Sequence, residues 1–410
     1  MPPDASPSNT EFRRAFVAVA ALAMAPAIGL GIARFGYALV LPDMRAGFGW
    51  SFSEAGTPNA LNAAGYLFGA IVAGRLAALV GGARLVLLSA IVAAVSTAAS
   101  ALAIGLWSLS ALRFVAGASA ACGVVAGGAV AIAISERLGR SGPMVVSLFY
   151  AGPPLGIAVS ALVTPFALEA GWREAWAWLG VASFILLTPL MIPSFRAARG
   201  EKSPVGASRA PLAPMMPALI GYGLFGAGYI AYMTFMIAFL RDGGADPVRE
   251  SAFWCVIGVA GVAAPFVWGR ALAALHNGWG MAVTMTVTCL GAAAPLISRS
   301  FAAELASGVV FGLGMFTVVA TTTIFVRRSL PPESWASGVG ALTVAFSLGQ
   351  TVGPVLTGVV TDFTGGLDAG LALGAALLAL GALVAAFQRD CARATTIAFS
   401  RYPSARRKAG

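Results

Sequence analysis

Long apolar runs, each separated from the next by proline, glycine or charged residues, divide the chain into twelve segments. Each run stays apolar over about 20 residues, the length that crosses the hydrocarbon core of a bilayer as a helix. A strand of a membrane barrel would instead alternate apolar and polar positions over about ten residues. The pattern therefore predicts twelve transmembrane helices, at 15–41, 54–75, 84–104, 108–134, 142–167, 173–194, 214–240, 251–274, 279–297, 301–326, 335–360 and 367–388.

The composition agrees with an all-α membrane protein. Of the 410 residues, 59% are hydrophobic and only 10% are charged, whereas a soluble domain is about half apolar and a quarter charged. The roughly 240 apolar residues would fill about twelve spans. Too little chain remains for a large enzyme domain outside the membrane, so we predict that the protein is not an enzyme.

The positions of the basic residues predict the orientation in the membrane. With the N-terminus in the cytoplasm, 19 of the 26 lysine and arginine residues fall on the cytoplasmic side and 5 on the outer side. An excess of this kind sets the topology of multi-pass proteins. We therefore expect a multi-pass protein of the inner membrane, in contact with the lipid bilayer, with both termini in the cytoplasm. Because these loops and the tail explain the net charge of +10, no nucleic-acid partner is predicted.

The longest polar segment lies near the middle of the chain and predicts two halves of six helices each. The expected order is a disordered cytoplasmic N-terminus, a six-helix bundle, a cytoplasmic linker, a second bundle and a basic cytoplasmic tail. The corresponding ranges are 1–12, 13–195, 196–213, 214–389 and 390–410.

An internal repeat supports this division. Gly74-Arg75 recurs 195 residues later as Gly269-Arg270, and Gly152-x-x-x-Gly156 recurs after 197 residues as Gly349-x-x-x-Gly353. Matched motifs at nearly one offset indicate duplicated halves, and parallel repeats are a known plan of transporters. We expect two pseudo-symmetric bundles that form one complete cavity, and hence a monomer.

Residues that hold metals or cofactors are scarce. The four cysteines form no CxxC pair and show no metal-ligand spacing, and His276 is the single histidine. We interpret the cysteines as small packing residues. Neither a metal site nor a cofactor is predicted.

Several motifs resemble those of the major facilitator superfamily, and the resemblance extends over essentially the whole chain. Gly74-Arg75-Leu76-Ala77, with Gly81 and Arg84, is similar to its loop 2–3 signature, although Ala78 stands where that signature has aspartate. Arg113-x-x-x-Gly117 resembles its helix-four arginine motif, and Gly152-Pro153-Pro154-Leu155-Gly156 resembles the antiporter motif of its exporters. Finer features resemble the YbfB/YjiJ-like branch, namely Ala33-Arg34-Phe35-Gly36-Tyr37, Ala64-Gly65-Tyr66, Gly228-Tyr229-Ile230 and Gly349-Gln350-x-x-Gly353-Pro354.

This resemblance implies a permease that works by alternating access, with helices one, four, seven and ten around a central cavity. The antiporter-like motif implies export. It also implies gating or packing roles for the small and basic residues of these motifs, namely Gly74, Arg75, Gly117, Gly152, Pro153, Gly156, Gly269, Arg270, Gly349, Gly353 and Pro354.

Two arginines, Arg34 and Arg113, fall inside predicted helices, both about 8–10 Å below the outer boundary of the membrane. An arginine at mid-membrane costs about 2.5–3.5 kcal/mol, so both are expected to face a cavity or a partner. None of the 16 acidic residues is predicted deep in a helix. The two cations are therefore predicted to bind a small organic anion or carboxylate. The alternative is a proton-coupled multidrug or sugar exporter in which both arginines are structural.

Polar, aromatic and methionine side chains on the predicted helices form a second set of candidates. Each of them equally suits packing or hydrogen bonding between helices. The substrate contacts expected besides the arginines are Tyr37, Asn59, Asn62, Tyr66, Tyr150, Tyr229, Met233, Thr317, Thr321 and Gln350, and the helix-seven stripe also contains Tyr222, Gly226 and Met236.

The glycines and prolines of helices five and eleven predict surfaces for close packing or bending as the halves rock. Coupling is left open between a proton and an exchanged anion. Asp43 and Glu54 are the candidate proton sites of the N-terminal half, although either also suits a helix cap. A substrate carboxylate is a third possible proton carrier, and His276 is expected in an interfacial loop.

Overall fold

The computed structural model describes residues 9–136, 138, 142–191 and 209–391. These residues form helices and connecting turns, and twelve of the helices are long and apolar enough to cross a membrane, which confirms the predicted number. We number the spans α1 to α12, in the order Asn9–Phe48, Phe52–Val80, Gly82–Leu102, Leu106–Ser135, Met144–Leu168, Trp172–Met191, Ala213–Asp242, Pro247–Gly269, Trp279–Ile297, Phe301–Ser329, Pro332–Thr364 and Leu367–Ala386.

Three predicted segments lie wholly or partly outside the described residues. They are the N-terminal eight residues, most of the linker and nearly all of the tail. Asn9 to Phe12, which were expected to be disordered, instead belong to α1. Glu11 stands in the first turn of this helix, and Phe12 packs against the core of the N-terminal half. The acidic first turn and the partly buried ring of Phe12 favour helix at this point.

Helices α1–α6 and α7–α12 form two bundles that repeat the same internal contacts. In each bundle, two glycines of the fifth helix lie so close to the first helix that a Cβ atom would collide with its backbone. The glycine and carbonyl pairs are Gly152–Ala23, Gly156–Ala27, Gly349–Gly223 and Gly353–Ala227. These close approaches lie within each half and hold its own helices together. Close packing is one of the two roles predicted for these glycines, and bending as the halves rock stays a prediction.

The halves meet at the end of the molecule that carries the turns at 49–51, 243–246 and 365–366, which we call the closed end. Here α2 packs against α11, α5 against α8, and the last turns of α1 against α7. Asp362, near the end of α11, accepts hydrogen bonds from the backbone N–H groups of Phe52 and Ser53 at 2.8 and 2.9 Å. A carboxylate at a helix N-terminus pairs with free donors and with the helix dipole, so α11 caps α2 across the interface.

An ion-pair group also bridges the halves at the closed end. Arg241 of α7 lies 2.5 Å from Asp43 of α1, and 2.7 Å from Glu250 at the start of α8. The side chain of Glu250 is only 3% exposed. Arg241 therefore keeps a buried partner in its own half and adds a partner from the other half only when this end is closed.

At the opposite end, which we call the open end, the described residues of the two halves do not share one hydrophobic core. The larger hydrophobic core runs from the closed end of the N-terminal half through the whole C-terminal half. A second core, around Val19, Phe149 and Leu190, holds together the open end of the N-terminal half alone. Gly74 of α2 and Gly340 of α11 have no neighbouring atoms where a Cβ would lie. The two halves are thus closed against each other at one end and apart at the other.

We expect Gly56→Leu to force the closed end open. A Cβ atom at Gly56 of α2 would lie 2.5 Å from the carbonyl oxygen of Pro354 in α11, and backbone cannot give way as a flexible side chain can. Spin labels at Ala170 and Asp242, in a background without the native cysteines, should then show a longer distance than in the unchanged protein. Gly74→Leu is the matched control, because it makes the same change on the same helix in open space. An unchanged distance in a folded Gly56→Leu protein would contradict this account of the closed end.

Candidate functional site

The first helix is irregular where it carries Arg34. Residues Ala27–Phe35 form a π-helical segment that begins directly after Pro26. Gly29 lies against α4 and Gly31 against the backbone of α5, so tight packing surrounds the widened turns. Because π-helical segments shift the register of a helix and are frequent at functional sites, the direction of Arg34 is set here by backbone geometry that the sequence analysis did not predict.

Arg34 lies farther from the end of its helix than the sequence predicted. Pro42, the first residue after the predicted end at position 41, stays inside the helix, and α1 continues to Phe48 and stops at the left-handed residue Gly49. Arg34 is therefore 14 residues from the closed end of α1, or about 21 Å along the axis. The predicted end of this helix at residue 41 is therefore wrong, whereas the depth of Arg34 below the membrane boundary stays a prediction.

Arg113 is buried and bound to the main chain of α1. Its side chain donates one hydrogen bond to the carbonyl oxygen of Ala33 and another, at 2.9 Å, to that of Arg34. The guanidinium also lies 5.0 Å from the ring of Tyr37, within the range of a cation–π contact. Only Nε lacks a partner. Arg113 thus fixes the π-helical segment from α4.

Arg34 is equally buried but has no such partners. It is 3% exposed, and its Nε and Nη2 atoms make no hydrogen bond. The guanidinium lies 5.6 Å from the ring of Tyr66 in α2 and 5.7 Å from that of Phe35. In the part of the chain that the structure describes, no carboxylate pairs with it. A buried charge without a counter-ion is costly, so this site is suited to an anion.

Two asparagines of α2 lie beside this region and each presents an unused acceptor. The Nδ2 atom of Asn62 donates to the carbonyl oxygen of Arg113 at 2.8 Å, and that of Asn59 donates to the hydroxyl of Thr234 in the other half at 2.6 Å. The Oδ1 atoms of both are buried without a partner. Asn59 therefore joins the halves just beyond the arginines, on the side of the closed end.

The C-terminal half contributes a tyrosine and an amide to the same region. The Nε2 atom of Gln350 in α11 donates to the hydroxyl of Tyr229 in α7. The hydroxyl of Tyr66 lies within electrostatic range of those of Tyr229 and Tyr150, and Arg34 is within range of Tyr66 and Tyr229. Tyr150, the residue before the break in α5, is 52% exposed. The structure thus brings together predicted residues from both halves, namely Arg34, Tyr66, Tyr150, Tyr229 and Gln350.

Several other predicted substrate residues have local roles. The hydroxyl of Tyr37 donates to the carbonyl oxygen of Ala55 at 2.7 Å and ties α1 to α2. Thr317 and Thr321 donate to backbone carbonyls of their own helix, and Thr321 lies against Gly280 of α9. Met233 of α7 is buried in the larger hydrophobic core. Thr321 therefore faces its own bundle.

The predicted gating or packing residues outside helices five and eleven differ in their surroundings. Gly117 packs on the backbone of α2, where a Cβ atom would collide with the carbonyl of Asn62. Gly74 and Gly269 have open space around them, and Arg75 is exposed. The side chain of Arg270 lies outside the described residues.

The candidate proton sites lie at the closed end or in a loop. Glu54 forms a capping box with Ser51, accepting from its backbone N–H at 2.9 Å. Asp43 belongs to the Arg241 ion-pair group. His276, exposed between α8 and α9, has its Nδ1 atom 2.9 Å from the carbonyl oxygen of Ala274. None of these three groups lies beside Arg34.

The sequence analysis missed two aromatic residues of this region. Phe225 lies on the same face of α7 as Tyr222 and Tyr229, at spacings of three and four residues. Phe346 of α11 stacks on Tyr222 at 4.6 Å and on Tyr229 at 5.5 Å between ring centroids. The spacing on α7 was a usable signal for Phe225, whereas only the packing of α11 on α7 reveals Phe346.

Comparison with known families and sequences gives two matches. A family model described as an uncharacterised MFS-type transporter, YbfB, matches residues 26–386. The chain is also 26% identical over 349 residues to the 3-(3-hydroxy-phenyl)propionate transporter of Escherichia coli strain K12. That alignment covers 80% of this chain and 81% of the relative. The family match includes every helix that carries the residues around Arg34.

Solved structures with the same fold are also transporters. The nucleoside transporter NupG superposes with a TM-score of 0.67 at 13% identity, covering 97% of this chain and 100% of its own. A bacterial homologue of the human lysosomal transporter Spinster superposes with a TM-score of 0.65 at 15% identity, with the same coverage. At these identities the likeness establishes the fold, two pseudo-symmetric bundles of six helices.

Proposed function

From the premise that this chain belongs to the YbfB-type family of the major facilitator superfamily, we propose that it exchanges small organic anions across the membrane by alternating access. Family and fold make it a multi-pass membrane protein and a secondary transporter of small organic solutes. The proposal adds the charge of the solute, the residue that binds it and the mode of coupling. The solute's carboxylate binds Arg34 between the two halves.

One observation carries this proposal, namely the contrast between the two buried arginines. Both terminal nitrogens of Arg113 donate hydrogen bonds to backbone carbonyls, whereas Nε and Nη2 of Arg34 make no hydrogen bond. These two nitrogens form one edge of the planar guanidinium, and a carboxylate pairs with such an edge through two parallel hydrogen bonds. Arg34 is therefore the anion-binding residue and Arg113 the residue that positions it. The carboxylate of the relative's solute supports the same chemistry.

The uncompensated charge also favours exchange over net flow. To reorient empty, the protein would have to carry an unpaired guanidinium through a state closed at both ends, at a high desolvation cost. A bound anion neutralises Arg34 and removes most of that cost. Reorientation is then fast only when the site is occupied, so one anion leaves as another enters. A coupling proton on a side chain beside Arg34 is not required.

Direction, location and assembly are parts of the same proposal. The Gly152–Gly156 motif of α5 resembles the antiporter motif of exporters, and we propose that the physiological solute is exported. The excess of basic residues at the open end supports an inner-membrane protein with that end and both termini in the cytoplasm. Since two six-helix halves already enclose a site, a monomer suffices. Net movement of labelled anion out of inside-out vesicles would contradict the direction.

The test is a thermal-shift screen of the purified chain in detergent, followed by counterflow in vesicles. A ligand that binds only the folded protein stabilises it by about 2.7 kcal/mol at a concentration of 100 Kd. Organic carboxylates, beginning with 3-(3-hydroxy-phenyl)propionate, should raise the melting temperature, and their neutral amides should not. Vesicles preloaded with an active anion should then take up labelled anion faster than empty vesicles.

Two outcomes would overturn the proposal. Stabilisation by neutral or cationic compounds, with none by carboxylates, would favour the multidrug or sugar exporter in which the arginines are structural. Uptake that is independent of preloaded anion and follows a pH gradient would replace exchange by proton coupling.

A further inference from the structure

The C-terminal half faces Arg34 with a slab of aromatic rings. Tyr222, Phe225 and Tyr229 of α7 and Phe346 of α11 lie nearly parallel, with interplanar angles of 5° to 15° and centroids 4.6 to 5.9 Å apart. Aromatic rings pair favourably in such offset stacks. Phe346 is only half-buried, whereas the three rings of α7 are almost fully buried. Phe346 is therefore the ring of the slab that keeps accessible surface for contact with a further ring.

A polar group without a partner lies at the edge of this slab. Gln350, one turn beyond Phe346, is fully buried, and its Oε1 atom makes no hydrogen bond. Its Nε2 atom is held by the hydroxyl of Tyr229, which fixes the amide. A buried acceptor of this kind is rarely left unpaired unless a ligand or a water molecule donates a hydrogen bond to it. It would accept a hydrogen bond from a donor on a neighbouring ring.

The two halves carry different chemistry across one interface. The N-terminal half contributes the cation Arg34, and the C-terminal half contributes the ring slab and the acceptor of Gln350. Asn59 of the N-terminal half donates to Thr234, five residues after Tyr229 on α7, at 2.6 Å, and Tyr229 lies within electrostatic range of Arg34, so one small molecule can reach both parts. A ligand that meets both has a carboxylate at one end and a ring with a hydrogen-bond donor at the other.

We propose that the substrate is an aromatic acid with a hydroxyl group on its ring, held with its carboxylate on Arg34, its ring on Phe346 and its hydroxyl on Gln350. This proposal rests on the proposed function, since it takes the anion site as given. It assigns a specificity-determining role to Phe346 and Gln350. Because the ligand touches both halves, only a molecule with both groups draws the halves together around it.

The experiment measures dissociation constants of the purified full-length chain for four kinds of acid of similar size. The acids are cyclohexylacetate, phenylacetate, its ring-hydroxylated derivatives and its ring-methoxylated derivatives. The hydroxylated acid that fits best should bind about tenfold more tightly than phenylacetate or the methoxylated acids, the gain expected for one hydrogen bond to a buried acceptor. Cyclohexylacetate should bind about threefold to tenfold more weakly than phenylacetate, because it loses the ring contact.

Two variants separate the parts of the subsite. Gln350→Leu should abolish the roughly tenfold preference for the hydroxylated acid over phenylacetate. Phe346→Leu should abolish the preference for phenyl over cyclohexyl. Thr343→Val is the matched control on α11, because this hydroxyl bonds only to its own helix. Phe346→Leu keeps the test valid if Gln350→Leu does not fold.

The failure of this inference is distinguishable from the failure of the proposed function. If carboxylates bind and require Arg34, but all four acids bind equally in every variant, the anion site stands and the ring subsite is wrong. If methoxylated acids bind more tightly than hydroxylated ones, Gln350 acts as a donor and the proposed hydroxyl is wrong. If no carboxylate binds the native chain, the proposed function itself has failed.

Discussion

Replacing Arg34 by glutamine is expected to weaken carboxylate binding roughly 100-fold while leaving the empty protein as stable as before, or more stable. A bidentate pair with a guanidinium contributes about 3 kcal/mol, which corresponds to a factor of about 100 in Kd. In the empty protein, however, Nε and Nη2 of Arg34 have no partner, so the removal of an uncompensated buried charge offsets the loss of the ring contacts with Tyr66 and Phe35. Melting curves of the purified variant, with and without the best carboxylate, measure both effects.

Two further variants make this result specific. Arg34→Lys keeps the charge and loses the planar pair of donors, so its affinity should lie between those of the native chain and Arg34→Gln. Arg14→Gln makes the same change at an exposed position of α1 and should bind like the native chain. Unchanged carboxylate binding in a folded Arg34→Gln protein would remove the anion site.

Replacing Arg113 by glutamine is expected to have the opposite signature, a large loss of stability before any ligand is added. The change leaves the carbonyl oxygens of Ala33 and Arg34 without their donors in a buried site. Each unsatisfied buried group costs about 1–3 kcal/mol, or about 2–6 kcal/mol together. The apparent melting temperature of the empty variant should fall by about 5–10 °C, as measured in detergent beside the native protein.

Arg173→Gln is the matched control for this prediction. Its guanidinium also donates to two backbone carbonyls, those of Ala101 at 2.7 Å and Ala103 at 3.1 Å, but the residue is exposed. Water replaces the lost donors there, so stability should change by less than about 1 kcal/mol. If Arg113→Gln proved no more destabilising than Arg173→Gln, Arg113 would not be the positioning residue described above.

The proposed mechanism links the closed end to the site. Arg241 keeps Glu250 and gains Asp43 only when the closed end is shut, and Asn59 joins Thr234, which precedes Arg241 by seven residues on α7. In the proposed cycle, opening the closed end breaks these contacts, and a ligand bound to both halves supplies other contacts between them. Occupancy of the site is then linked to conformation.

Much of the architecture could be predicted from the sequence because it depends on local composition. A run of about 20 apolar residues forms a spanning helix whatever its neighbours, so the twelve helices were predictable with errors of a few residues at most ends. The paired Gly152–Gly156 and Gly349–Gly353 motifs indicated duplicated halves. Arg34 and Arg113 stood out because charge is rare inside such runs.

The tertiary structure alone decided what those residues do. Arg113 reaches carbonyls about 80 residues away in the chain, and no local pattern indicates which of two buried arginines finds acceptors. The π-helical segment after Pro26 arises where glycines let α1 approach α4 and α5, and it sets the direction of Arg34. Phe346 joins the rings of α7 only through packing between helices. The helices follow from the solvation of each segment by lipid, whereas the site follows from contacts between segments, which composition does not encode.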